Sequence, residues 1–359
     1  MQLGILGLPK AGKTTLFNLL TASRADTDKF ATSRGAHVGV TRVPDPRLAV
    51  LRDLFQPRRY VPATLEVVDI PGIRRGQGRG EEEGEDLDLA RLKTVAGLVH
   101  VVRAFHDPEI LHPDGEVDPA RDVANVELEL ILADHTLVER RLERLEKATK
   151  RGLTPEEQRE RQLLAERILP ALEEERPLRE LELAAEDERR LRGFQLLSAK
   201  PMLLVFNVDE DRVAASGESE ATPRPGTRSV VVSAPIEEEI SRLPAAEQRE
   251  FLEGLGLTEP SLERLIRAGY ELLEMISFFT VGDDEVRAWT VPRGTRAREA
   301  AAAIHSDIER GFIRAEVVPW DELLRQGSLA ASREAGTLRL EGKDYVVQDG
   351  EVVHFRFNV

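Results

Sequence analysis

The chain has 359 residues, 65 acidic against 50 basic side chains for a formal net charge of −15, and no cysteine. Absence of cysteine excludes disulfides and thiolate metal sites and predicts a cytoplasmic protein, and the acidic balance argues against indiscriminate coating of nucleic acid and against sequence-specific DNA binding. No apolar run approaches the roughly 18 residues of a membrane span, the first residues lack a signal-peptide pattern, and the length predicts two or three domains, with a monomer as the default.

In chain order, residues 2–6 (QLGIL) predict a strand ending at a glycine, and 14–22 a helix with Leu16, Phe17, Leu19 and Leu20 inward. Further short apolar runs at 64–70, 97–103, 201–207 and 228–233 predict strands. Such runs with helical segments between them predict an α/β fold, a parallel sheet covered on both faces. The stretch from about 121 to 197 is rich in Glu, Arg and Leu. Leu128, Ile131, His135, Val138, Leu142 and Leu145 follow a heptad seam. A second helix is expected from Thr154, its N-cap, to about Glu174, with Leu164, Ile168 and Leu172 on one face and a kink at Pro170. Together they predict an antiparallel helical arm inserted in the sheet, either with a function or as a spacer. Residues 214–228 read as a loop. From about 278, strands are expected at 285–291, 314–318, 344–347 and 351–357, with a helix at 296–310 and Trp289, Trp320 and Phe355 in a small core.

Gly7-Leu8-Pro9-Lys10-Ala11-Gly12-Lys13-Thr14 satisfies G-x-x-x-x-G-K-[ST] between a strand and a helix. In that context the loop amides and helix N-terminus of Leu8 to Thr15 cradle phosphates. Lys13 is expected to reach the β- and γ-phosphates, and the Thr14 hydroxyl to ligate Mg²⁺. Asp69 ends the second strand as an expected Mg²⁺ partner, and Gly72 of Asp69-Ile70-Pro71-Gly72 is expected to offer its amide to the γ-phosphate. Many GTPases follow that glycine with a water-orienting glutamine; here stands Ile73. Asn207-Val208-Asp209-Glu210 occupies the base-contact position that reads N-K-x-D in guanine-specific proteins, so Glu210 and Val208 should weaken guanine selection. Ser233-Ala234-Pro235 stands where a second base-contacting loop is expected.

These motifs, with VPDPRL (43–48), HVVRAF (100–105), DGEVDPARD (114–122), GFIRAEV (311–317) and the final LEGKDYVVQDGEVVHFRFNV, resemble the YchF-type, or Obg-like, ATPase family over nearly the whole chain. The resemblance implies a P-loop G domain (1–120 and 198–277), a coiled-coil insertion (121–197) and a C-terminal TGS domain of ubiquitin-like β-grasp fold (278–359). It implies ATP/ADP preferred over GTP/GDP, and association with the ribosome. It matches His112 to a loop histidine that helps activate water; read alone, a loop histidine is more often a solvent-exposed bystander. The family's phosphate loop carries asparagine where this chain has Lys10, a position linked to K⁺ binding beside the phosphates. Lys10 then either replaces that cation, making hydrolysis independent of K⁺, or points to solvent. The first switch (30–39) departs from the family pattern, leaving Thr32 or Ser33 as the Mg²⁺-sensing hydroxyl. The second (78–89) is unusually acidic, with Arg74, Arg75 and Arg79 near it. Three readings stand: an ATPase switch on the ribosome, a GTPase of the translation or ribosome-assembly type, and a scaffold stabilised by nucleotide.

Overall fold

The structure is a computed structural model that describes residues 1–21, 37–73, 86–149, 152–213 and 227–358. Thr32, Ser33, Arg74, Arg75 and Arg79, and most of the expected loop at 214–228, lie outside the described residues. The elements run β1 (Gln2–Leu6), α1 (Lys13–Thr21), β2 (His37–Arg42), α2 (Pro46–Phe55), β3 (Arg59–Val61), β4 (Thr64–Asp69), α3 (Asp86–Thr94), β5 (Gly97–Ala104) and α4 (Pro119–Ala148). Next come α5 (Pro155–Leu163), α6 (Leu169–Glu173), α7 (Ala185–Leu191), β6 (Met202–Val208), β7 (Arg228–Val232), α8 (Ala234–Arg242), α9 (Ala245–Gly254) and α10 (Ser261–Leu272). The chain ends with β8 (Met275–Thr280), β9 (Glu285–Pro292), α11 (Ala297–Ile304), α12 (Ser306–Arg310), β10 (Phe312–Pro319), α13 (Trp320–Gln326), α14 (Leu329–Glu334), β11 (Arg339–Glu341) and β12 (Glu351–Phe357). Two compact units result, Met1–Gly39 with Glu66–Leu265, and Val40–Leu65 with Ile266–Val359.

The first unit carries a sheet of order β2-β4-β1-β5-β6-β7. The β1–β4, β1–β5, β5–β6 and β6–β7 pairings are all parallel. Every residue of β5 and β6 is buried, as a parallel strand covered on both faces requires. Val68, Val102 and Phe206 of the strands pack with Val126 and Leu130 of α4 and Ile236 and Ile240 of α8. The phosphate loop therefore leaves β1 beside the fully buried strand β5.

Helix α4 serves two cores in turn. Asp118 caps it, accepting the Arg121 amide at 3.1 Å. The insertion is expected to begin at 121, but Val126 and Leu130 still pack on the sheet. From Ile131 onward the helix joins a second core, where Ile131, Val138 and Leu145 meet Leu164, Ile168 and Leu172. The Arg141–Glu160 ion pair at 2.6 Å and the Arg179–Glu127 pair fix the antiparallel sense. Thr154 caps α5 in a reciprocal box with Glu157. A π turn at Leu164–Ile168 precedes Pro170, which lacks an amide hydrogen and would clash with a carbonyl one turn back, so the helix widens there. At the base of the arm, Asp134 accepts the amides of Leu197 and Ser198 at 2.8 and 2.7 Å and the Ser198 hydroxyl at 2.7 Å.

In the second unit the strand order is β11-β10-β12-β8-β9-β3. The first and last strands of its C-terminal part, β8 and β12, lie parallel at the centre. The antiparallel pairs β8–β9 and β10–β12 flank them, which is the β-grasp arrangement. Ala297, Ala300 and Ala301 of α11 pack against Phe278, Val353 and Phe355. Residues 40–65 are expected in the nucleotide-binding part, but β3 pairs with β9 and this segment clusters with the second unit. The 344–347 run makes a single bridge, Arg296 to Val346, rather than a strand, because Val347 is drawn into the core. The 296–310 helix breaks at extended His305, whose ring accepts the Asp307 amide at 3.1 Å. Of the expected aromatics, Phe355 is in the core and Trp289 packs against it, while half-buried Trp320 lies at the start of α13 outside that cluster.

Candidate nucleotide site

The loop from Gly7 to Thr14 wraps the N-terminus of α1. Gly12 takes the left-handed backbone that glycine favours (φ 95°), and so does Lys10 (φ 66°), where a side chain is strained. Lys13 is buried, and its ammonium donates to the Leu8 carbonyl at 2.7 Å. Burial lowers its pKa to about 8, against the opposing pull of the Asp69 carboxylate. The lysine thus folds over its own loop, where a phosphate oxygen would replace the carbonyl. Lys10 and Glu210 are exposed, whereas Ala11 is buried beneath the loop and Leu8 joins the sheet core.

Thr14 donates its hydroxyl to Asp69 Oδ2 at 2.8 Å, joining the phosphate loop to the end of β4. Asp69 Oδ1 is buried and has no partner among the described residues, and desolvation raises the carboxyl pKa. A hydroxyl and a carboxylate with a spare oxygen are hard donors suited to Mg²⁺. Gly72 runs against the phosphate loop so closely that a Cβ there would lie 2.8 Å from the Pro9 nitrogen. The Ile73 amide donates to the Gly7 carbonyl at 3.0 Å. The Ile73 side chain is 1% exposed and sits in the sheet core, so this position turns away from the phosphate side altogether.

Asn207, next to last in β6, is a junction. Its amide nitrogen donates to the Ala11 carbonyl at 3.2 Å, and its oxygen accepts the Ala234 amide at 3.2 Å. One side chain thereby fixes the phosphate loop to the segment Ser233-Ala234-Pro235 at the start of α8. The buried Ser233 hydroxyl has no partner among the described residues. Val208, expected beside the base in place of a lysine, is instead buried in the sheet core. Strand alternation aims it there, opposite in sense to Asn207.

His112 lies in the loop between β5 and α4. Its Nε2 faces Asp122 Oδ2 at 2.8 Å, and its Nδ1 accepts the Asp114 amide at 3.1 Å. These contacts assign the proton to Nε2. Arg121 donates to Asp122 Oδ1 at 2.9 Å and to the Glu116 carbonyl at 2.6 Å. Both nitrogens of His112 are engaged, so the ring clasps this loop to the first turn of α4. No spacing in the sequence pairs His112 with Asp122, which the structure places one turn into α4.

A phosphate loop after a central parallel strand, a lysine folded over it, and a threonine–aspartate pair beside it define a P-loop nucleoside triphosphatase. A family model described as "50S ribosome-binding GTPase" matches residues 2–139, and one described as "Protein of unknown function (DUF933)", of the YchF C-terminal type, matches 275–358. The "Ribosome-binding ATPase YchF" of Bacillus subtilis (strain 168) is 43% identical over 369 residues, 99% of each chain. That of Escherichia coli O157:H7 is 40% identical over 361 residues, again 99% of each. Among solved structures, the Schizosaccharomyces pombe YchF GTPase superposes with a TM-score of 0.84 at 31% identity, covering 99% of this chain and 97% of that one. The chain belongs to the YchF family.

Proposed function

We propose that this chain is a Mg²⁺-dependent, slowly turning-over ATPase that associates with the ribosome and uses bound nucleotide as a switch. The observation that carries the nucleotide choice is the Asn207–Glu210 segment. Asn207 fixes its start against the phosphate loop, and exposed Glu210 stands where guanine-selective proteins carry a shorter aspartate. Misplacing a guanine-pairing carboxylate costs most of guanine's advantage. Lys13 and the loop amides hold the phosphates, Asn207, Glu210 and Ser233-Ala234-Pro235 border the base, and Thr14 and Asp69 would hold the Mg²⁺, which neutralises phosphate charge.

Slow turnover follows from Ile73, whose side chain offers no hydrogen bond and is buried. His112 would take a proton from water only at Nδ1, on releasing the Asp114 amide. Lys10, on the exposed side of the loop, remains the residue to test for K⁺ independence, by comparing rates in K⁺ and Na⁺ buffers. The division into a G domain, a helical insertion and a TGS domain is proposed with the second unit extended to include 40–65. Ribosome association is taken from the names of relatives matched along their full length, and a monomer in the cytoplasm completes the reading. No helix among the described residues is long and apolar enough to cross a membrane.

A GTPase reading is favoured by the description of the matching N-terminal model. Calorimetry with ATP and GTP in Mg²⁺, with Lys13→Ala alongside, separates the two. ATP tighter than GTP supports the proposal, and a Glu210→Asp variant should then shift toward GTP. Equal or tighter GTP binding overturns the ATP choice. Sedimentation with purified ribosomes, with and without ATP, tests the partner; a chain that stays in the supernatant in both states sinks that part.

A further inference from the structure

Asp209 sits inside the base-contact segment yet does not face its own turn. It is the residue before the short 3-10 turn Glu210–Arg212 and has no side-chain capping bond to it. An aspartate in that place ordinarily accepts an amide of the turn it precedes. Here both carboxylate oxygens accept the backbone amide of His106, at 3.1 and 3.2 Å, and one lies 3.3 Å from the His106 ring. Three residues on, Arg212 donates to the Ala104 carbonyl at 3.0 Å. The segment that borders the base is thus stitched to the first residues of the loop between β5 and α4. That same loop is clasped at its far end by His112 on Asp122. Between the two clasps its tip is solvent-facing, with Leu111 85% exposed.

We infer that Asp209 is a positioning residue that makes the 105–118 loop, and with it His112, respond to occupancy of the base site. The physical reason is the shortness of the chain of contacts. Asn207 joins the phosphate loop and the Ala234 segment, and two residues later Asp209 holds the His106 backbone. A nucleotide that orders 207–210 orders the acceptor for that amide. Arg103 supports the loop from its own side, donating to the Phe105 and Asp107 carbonyls at 3.3 Å each, so the loop keeps its local shape while its attachment is set by Asp209. The inference rests on nucleotide binding at the phosphate loop and is independent of the ribosome.

Hydrogen exchange of the full chain with and without ATP tests it, with calorimetry of the same samples. The expected result is ATP-dependent protection of peptides spanning 105–118 in the parent chain. Asp209→Ala should lose that protection while the peptide carrying Lys13 keeps its own. Asp209→Asn retains an oxygen acceptor for the His106 amide and should restore the protection, a rescue that general destabilisation would not give. In turnover, Asp209→Ala should lower kcat with KM held. Failure of the parent chain to bind ATP or GTP in calorimetry would refute the nucleotide reading itself. ATP binding with a 105–118 loop that ignores it, or an Asp209→Ala loop that responds as the parent does, overturns the role of Asp209.

Discussion

Gly12 and Asn207 stand so close that a Cβ on Gly12 would lie 2.4 Å from the Asn207 side-chain nitrogen. The phosphate loop can close on β6 only because position 12 has no side chain, and Asn207 uses the space to reach Ala11. Gly12→Ala forces either the left-handed backbone or the Asn207 contact to give way. Nucleotide affinity should fall by roughly 10- to 100-fold, equivalent to about 1.4–2.8 kcal/mol, with the thermal unfolding midpoint lowered by about 2–6 °C. Calorimetry beside a melting curve checks both halves; unchanged affinity would show that the loop tolerates the extra carbon.

Lys13 carries a pH signature. Its pKa in the nucleotide-free chain is lowered to about 8 by burial, so it is charged below that value and neutral above it. Phosphate binding requires the charged form. Affinity should be flat below about pH 8 and weaken above it, approaching tenfold per pH unit with uptake of about one proton. Calorimetry at pH 9 in buffers of different ionisation enthalpy measures the uptake. Lys13→Ala should abolish both the slope and most of the affinity.

Restoring a glutamine after Gly72 should not create a fast enzyme. Ile73 is buried in the sheet core, so Ile73→Gln places an amide where no partner waits. The expected outcome is a loss of about 2–3 kcal/mol in stability with no gain in turnover. Urea unfolding and a turnover assay decide it, and faster hydrolysis would mean the side chain can swing to the phosphate side.

Asp134 makes the base of the helical arm sensitive to pH. Its pKa is raised from 3.8 to about 6, because desolvation outweighs its bonds to Ser198 and Leu197. A raised folded value binds the proton more tightly than the unfolded chain does. Its contribution to stability is therefore fully present below the unfolded value and lost as pH rises through about 6, an effect on the order of 3 kcal/mol. Asp134→Asn should become more stable relative to the parent as pH rises from 4 to 7. Urea unfolding of both chains across that range gives the difference, and a constant offset would contradict the assignment.

The sequence by itself determined what depends on neighbours along the chain. Gly7 to Thr14 must cradle a phosphate because two glycines at fixed spacing and a helix start follow one apolar strand. Ile131, Val138 and Leu145 must share one face because the α-helix repeats nearly every seven residues. Thr154 announces its helix through an oxygen atom placed to accept one of the first free amides. Tertiary structure decided what depends on residues far apart. Burial of Ile73 and Val208 in one core, the pairing of β3 with β9, and the reduction of 344–347 to a single bridge follow from which apolar side chains could be covered at once. Asn207 reaching Ala11, His112 reaching Asp122 and Asp209 reaching His106 follow from how the sheet sets neighbouring loops at its edge. Such hydrogen bonds have no period or spacing in the chain, because their partners meet only when the strands between them have paired.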